Sequence, residues 1–174
     1  MELIDVLDDE GGVTGVRKPK SDVHRDGDWH RAAHIWIVTS DRRVMLQKRA
    51  KEKENWPGWW DVSAAGHCSA GESAVETAIR EVEEELGLTL TARELRHVGT
   101  FRDPVVLHGG TYLDNEIHEV FLVRRDVDFG VLTLQEEEVE DVALVAPEEL
   151  TSRADVVLYR EELALIRQLA SAST

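Results

Sequence analysis

The segment Gly66–Leu88 constrains this chain most. Ser73 with Glu76 three residues on is a capping box, so a helix begins there. Val75, Ala78, Ile79, Val82 and Leu86 recur at three- and four-residue spacing and make one apolar stripe. Gly87 stops the helix, because glycine takes the left-handed cap without a Cβ penalty. Glu81, Glu84 and Glu85 stand at i, i+3 and i+4, on one face beside that stripe. Like charges at this spacing oppose helix formation by roughly 0.2–0.5 kcal/mol per pair. The helix dipole also disfavours anions near its C-terminal end. Arg80 offsets part of this cost. The bland alternative is a solvated acidic face. Carboxylates gathered against both rules instead call for a compensating cation, and hard oxygen donors suit Mg²⁺ or Mn²⁺ over zinc.

The wider pattern is Gly66, five residues, Glu72, seven residues, then Arg80-Glu81-Val82-Glu83-Glu84-Glu85-Leu86-Gly87-Leu88. It resembles the box of the Nudix hydrolase family and fills every fixed position. With seven single identities, chance agreement is on the order of one in 10⁸ per start position. The resemblance implies an α/β fold, a three-layer α/β/α sandwich around a mixed β-sheet, with an N-terminal hairpin. It implies one domain over residues 1–174, with the box at 66–88. Glu81, Glu84, Glu85 and the backbone carbonyl of Gly66 would hold Mg²⁺, with Mn²⁺ as a substitute. Glu81, Glu84, Glu85 and Arg80 would form the catalytic group, Arg80 orienting Glu81, while Glu72 supports the start of the helix. The general base is Glu81 or a carboxylate of the Glu136–Glu140 run. The implied reaction is water attack at phosphorus, cleaving a phosphoanhydride of a nucleoside di- or triphosphate. Nucleotide sugars, ADP-ribose and an isopentenyl-diphosphate isomerase-like activity are the alternatives.

The flanks supply strands. Leu3–Leu7 and Val13–Arg17 read as a hairpin about the turn at Asp8–Gly12. Lys18–Asp28 is polar and reads as a loop. Ala32–Thr39, Val44–Arg49, Asp61–Ala65, Glu94–Phe101, Glu116–Arg124 and Val139–Val145 read as further strands, with a loop over Asp103–Gly110. Pro147 opens a short helical turn. Glu161–Leu169 is amphipathic, with Leu163, Ile166 and Leu169 inward. Lys48 and Arg49 are either solvent-facing charges or contacts for a substrate phosphate, for which a guanidinium fork is suited. Three of the five tryptophans fall in Trp56-Pro57-Gly58-Trp59-Trp60. They either cap the core or offer an indole, Trp59, on which a nucleobase stacks.

The flanks also resemble isopentenyl-diphosphate isomerase, a relative within the same fold. That likeness implies a histidine-and-carboxylate metal site built from His24, His30, His67, Asp114 and Glu116, apart from the box helix. Glu116 is also a candidate substrate contact, with Arg49, Lys48 and Trp59. The isomerase moves protons with a cysteine just before the box glycine, and this chain has Ala65 there. Cys68 lies beyond the glycine. An intact hydrolytic box without that thiol reads as a hydrolase on an isomerase-like frame.

Composition narrows the partners. The formal net charge is −15, with no basic run to track a phosphate backbone, which argues against a nucleic-acid polymer. One cysteine allows no internal disulfide and fits a reducing cytoplasm. No apolar run approaches a membrane span. A small nucleotide is the expected partner of a monomer or homodimer.

Overall fold

Strands that alternate apolar residues to both sides need a covering layer on each face. In the computed structural model, which describes residues 2–172, they receive one. The chain runs β1 (Leu3–Leu7), β2 (Val13–Pro19), α1 (Lys20–Asp26), β3 (His30–Val38), β4 (Val44–Arg49), β5 (Trp60–Asp61) and β6 (Ala64–His67). Then follow α2 (Ala74–Leu86), β7 (Arg96–Leu107), β8 (Tyr112–Arg124), β9 (Val139–Val145), α3 (Glu149–Ser152) and α4 (Arg160–Ser171). β1 and β2 form a separate antiparallel hairpin. The main sheet is mixed, in the order β5-β4-β3-β8-β7, with β6 also on β3 and β9 also on β4. Among the described strands, only β3 and β8 pair in parallel as a ladder.

Alternation sorts the core into two layers. Ala33, Ile35, Ile37, Met45, Phe121 and Val123 face Ala78, Val82 and Leu86 of α2. Trp36, Val38, Val44, Leu46, Val120 and Leu122 face Leu163, Ile166 and Ala170 of α4. The α/β/α sandwich follows directly from these two faces.

The feature that positions the site is a split in the sheet. β3 and β4 share only the Val38–Val44 pair next to their turn. Farther along, β6 takes the free edge of β3 (Ala32 to Ile35 against His67 to Ala64). β5 and β9 take β4. Buried Ser63 joins the two sides: the amide of Ile37 donates to its Oγ at 2.8 Å, and that hydroxyl donates to the carbonyl of Met45 at 2.6 Å.

The hairpin, β4, β9 and the box helix match the sequence reading, capping box and left-handed Gly87 included. Three segments differ. Residues 18–28 contain α1, because Val23 and His24 turn inward and Gly27 (φ 72°) closes the helix. Residues 103–107 continue β7 into a long hairpin with β8. β7 is an edge strand, where Pro104 is tolerated because no ladder donor is needed there. The strand expected over Asp61–Ala65 is two short ones, β5 and β6, on opposite sides of the split.

Ile166 is fully buried under the sheet. Ile166→Ala should cost about 2–5 kcal/mol in urea unfolding. Ser73→Ala, which removes the cap, should cost about 1 kcal/mol in the same measurement.

Candidate active site

Helix α2 delivers its acidic face to the mouth of the split. Arg80 organises it. Its Nε and Nη2 donate to the two oxygens of Glu72, each at 2.9 Å, a fork-to-fork pair. Its Nη1 donates to Glu81 at 2.6 Å and to Glu84 at 3.2 Å. Glu72 is further held by the amide of Ser69 and the hydroxyl of Thr77. Gly66, at the end of β6, lies against Glu81: a Cβ there would fall 2.0 Å from Oε1. Burial pushes Glu81 up to about 7, against the pull of Arg80. Glu85 is buried, and its contacts are neutral donors, Gln47 Nε2 at 3.0 Å and the amide of Ala65 at 3.2 Å. Burial, with Glu81 beside it, raises its pKa well above the usual carboxylate range. Glu84 stands half-exposed at the rim. Three carboxylates lining one cavity, two of them resisting ionisation, offer hard oxygen donors that suit a divalent cation.

A second cluster faces the same cavity. His24 from α1, His30 at the start of β3, His67 at the end of β6 and Asp114 from β8 each bring one donor atom within 4.8 Å of the others. His24 Nε2 is 3.3 Å from His30 Nε2 and 3.2 Å from Asp114 Oδ1, and His30 Nε2 is 3.6 Å from that oxygen. Ligands sharing one ion at bonds of about 2.1 Å stand about 3.0–3.4 Å apart, so these spacings fit a cage. His67 Nε2 and Asp114 Oδ1 are buried without a well-aligned hydrogen bond, although Glu116 Oε1 lies 3.0 Å from the first and His24 Nε2 3.2 Å from the second. His30 Nδ1 lies 3.0 Å from the carbonyl of Asp28, which fixes Nε2 as the free donor. Burial lowers the pKa of His30 to about 4 and leaves its imidazole neutral. The cage fits a borderline divalent ion, as imidazole ligands favour.

Behind the cage lies a buried polar layer against α4. Glu116 Oε1 is 3.0 Å from His67 Nε2, and Oε2 is 2.9 Å from His118 Nε2. Glu162, on the first turn of α4, meets His34 Nδ1 at 2.9 Å and His118 Nδ1 at 3.3 Å, and accepts from Trp36 Nε1 at 2.7 Å. Burial would lower His118, but Glu116 and Glu162 on either side bring it up to about 10. Burial likewise opposes the charge on Glu162, and the two histidines overcome it and hold that carboxyl down at about 2.

Both clusters open on one cavity of about 920 Å³. Of the residues singled out by sequence, Gly66, Arg80, Glu81, Glu84, Glu85, Glu116 and Arg49 line it. Arg49 is clamped, Nη1 donating to Asp61 at 2.9 Å and Nε to the carbonyl of Asn55 at 3.0 Å. Lys48 points elsewhere and pairs with Glu140 at 3.4 Å. Trp56, not Trp59, is the indole on the wall, with Trp59 edge-on to it at 5.2 Å. From the later acidic run, Glu137 and Glu138 reach the cavity. Sequence reasoning passed over Tyr112, Tyr159, His34, His118 and Glu162. The signal for the last three was present: His34 and His118 occupy inward positions in register with Trp36 and Val120, and Glu162 sits one turn before Ile166.

Comparison with known proteins agrees with this geometry. The NUDIX domain model matches residues 28–166. Nudix hydrolase 3 of Arabidopsis thaliana is 44% identical over 151 residues, which are 85% of this chain and 20% of that protein. This chain therefore corresponds to about a fifth of that relative's length. An isopentenyl-diphosphate Delta-isomerase of Clavibacter sepedonicus is 37% identical over 86% of this chain and 76% of its own. The crystal structure of DR0079 from Deinococcus radiodurans superposes with a TM-score of 0.74 at 20% identity, covering 96% of this chain and 98% of that one. With the domain model spanning most of the chain and the box helix folded as its pattern requires, this protein belongs to the Nudix hydrolase family.

Proposed function

We propose that this Nudix hydrolase cleaves a phosphoanhydride bond of nucleoside di- or triphosphates with Mg²⁺ held by Glu81, Glu84, Glu85 and the carbonyl of Gly66. The observation that supports this reading is that all three box carboxylates line one cavity, with Arg80 joined to Glu81 and Glu84. Bound Mg²⁺ supplies neutralisation of phosphate charge and acidification of water. The protein supplies positioning. Arg80, anchored on Glu72, fixes Glu81 at the surface where the phosphates lie. Glu81, held by Arg80 beside the cavity, is the base that accepts a proton from water. Arg49 keeps the rest of its donor fork for a phosphate, and Trp56, backed by Trp59, offers a face for the base. Cleavage in the cytoplasm fits the single buried cysteine. Among the described residues no helix is long and apolar enough to cross a membrane.

The histidine cage and the isomerase relative favour a second reading, proton transfer on an isoprenoid diphosphate. Ala65 and the state of Cys68 weigh against it. Burial raises that thiol to about 11, so it is not poised to exchange protons.

A panel of nucleoside mono-, di- and triphosphates and nucleotide sugars with Mg²⁺ tests the proposal. Wild type should release phosphate or pyrophosphate, and Glu85→Gln should lower kcat by about a hundredfold or more. Silence across the panel, with deuterium uptake into isopentenyl diphosphate, would reject hydrolysis in favour of isomerisation. Gly66→Ala should drive Glu81 from its place and cost on the order of 10²-fold in kcat, with the folded state retained by circular dichroism.

Stability should also respond to pH. The folded protein retains protons on Glu81 and Glu85 that the unfolded chain loses near 4.5. Their stabilising contribution is complete below that value, and the share from Glu81 is lost as pH rises through about 7. Mg²⁺ binds the ionised carboxylates, so its effect on Tm should be larger at pH 8 than at pH 6. Thermal melts with and without Mg²⁺ decide this, and equal gains at both pH values would contradict it.

A further inference from the structure

We propose that Gln47 is a positioning residue for Glu85. Its amide, with the backbone amide of Ala65, holds one oxygen of that carboxylate and leaves the other to a divalent cation in the cavity. The inference rests on the hydrolase reading above, in which Glu85 is a metal ligand.

Glu85 differs from the other two box carboxylates in what surrounds it. Glu81 and Glu84 both lean on the guanidinium of Arg80. Glu85 is buried, and among the described residues it accepts only from neutral donors, Gln47 Nε2 at 3.0 Å and the amide of Ala65 at 3.2 Å. Arg49 lines the same cavity, but its Nη1 is taken by Asp61. Neutral donors orient a carboxylate without cancelling its charge, and a buried charge needs a counterion. Both donors meet Oε2. Oε1 accepts from neither, so it is the oxygen available to a ligand in the cavity that Glu85 lines.

Gln47 is an unexpected residue at its position. Alternation along β4 puts it on the same side as Met45, which packs in the layer facing α2. It is 3% exposed. An apolar side chain would fill that place without the cost of burying an amide. The hydrogen bond to Glu85 offsets that cost. The backbone of Gln47 is fixed from both edges, opposite Val142 of β9 and Asp61 of β5. Ala65 is fixed on β6, opposite His34 of β3. The two donors therefore come from opposite sides of the split and close on one oxygen. Both are carried by paired strands, which hold a functional group more firmly than a loop does. A hydrogen bond behind a ligating carboxylate fixes its orientation, and losing such a partner typically costs about 10- to 100-fold in metal affinity.

Mn²⁺ is the probe, because the electron paramagnetic resonance signal of the free ion falls as the protein binds it. Metal-stripped protein is titrated without substrate. Wild type should bind Mn²⁺ at a site that Glu85→Gln loses, which separates the box ion from any ion in the histidine cage. Gln47→Met is close to glutamine in shape and has no donor. It should weaken the box site about 10- to 100-fold with the fold intact by circular dichroism. Phosphate release should then need about 10- to 100-fold more Mg²⁺ for half-maximal rate, with kcat recovered at saturating Mg²⁺ in Gln47→Met and not in Glu85→Gln. A folded Gln47→Met whose box site keeps wild-type Mn²⁺ affinity would overturn the proposal and leave the hydrolase reading standing. If Glu85→Gln binds Mn²⁺ as wild type does, Glu85 is not a metal ligand, and the reading and the proposal fall together. Should Gln47→Met not fold, Gln47→Asn decides, since its amide is one methylene too short to reach Oε2. The same weakening there supports the proposal, and wild-type affinity overturns it.

Discussion

The parting of β3 from β4 is the constraint on which the rest of this molecule depends. Two central strands that stayed paired would seal the sheet between its helices. Here they pair at one position and then diverge, and every backbone and side-chain polar group in the opening needs a partner. β6 satisfies the edge of β3, and Ser63 spans the gap with one hydroxyl. Gly66 and His67 consequently end beside Glu81 and the cage histidines. Gln47, inward on β4, reaches Glu85 across the same opening. The box pattern thus specifies more than a helix, since its glycine makes room for the carboxylate that faces it.

Local chemistry was legible in the sequence wherever one segment decides its own structure. The cap at Ser73, the stop at Gly87 and the strand Val44–Arg49 depend on residues within a few positions. The helix at Lys20–Asp26 was hidden because its inward residues are one valine and one histidine, and a histidine reads as polar until its metal-like neighbours are known. The extension of β7 was hidden by Pro104 and the glycines beyond it. Those residues forbid a central strand and allow an edge strand, a distinction that only the sheet order makes. At the site, the box residues could be placed from spacing alone. Arg49 and the tryptophans could not, because whether a strand-end arginine meets Asp61 or solvent depends on a residue in another strand. His34, His118 and Glu162 come from three elements and meet only after two layers have packed.

Charge ties the clusters together. Two unit charges a few ångströms apart interact far more strongly in a dry interior than in water. A cavity holding Glu81, Glu85 and Glu116 beside Asp114 would repel itself if all were ionised and unpaired. The protein relieves this in two ways. Burial lets Glu81 and Glu85 keep protons, while Glu116 and Glu162 keep their charge by facing His118. The first arrangement leaves carboxylates that release protons to a cation. The second leaves carboxylates already ionised and oriented. A bare polyphosphate entering such a cavity meets acid on several sides, in a chain with a formal charge of −15. A polyphosphate carrying divalent cations meets ligands instead. Under the proposed hydrolysis, the acidic wall would select for the metal complex of an anion over the anion itself, and the field that opposes a bare anion would become part of substrate recognition.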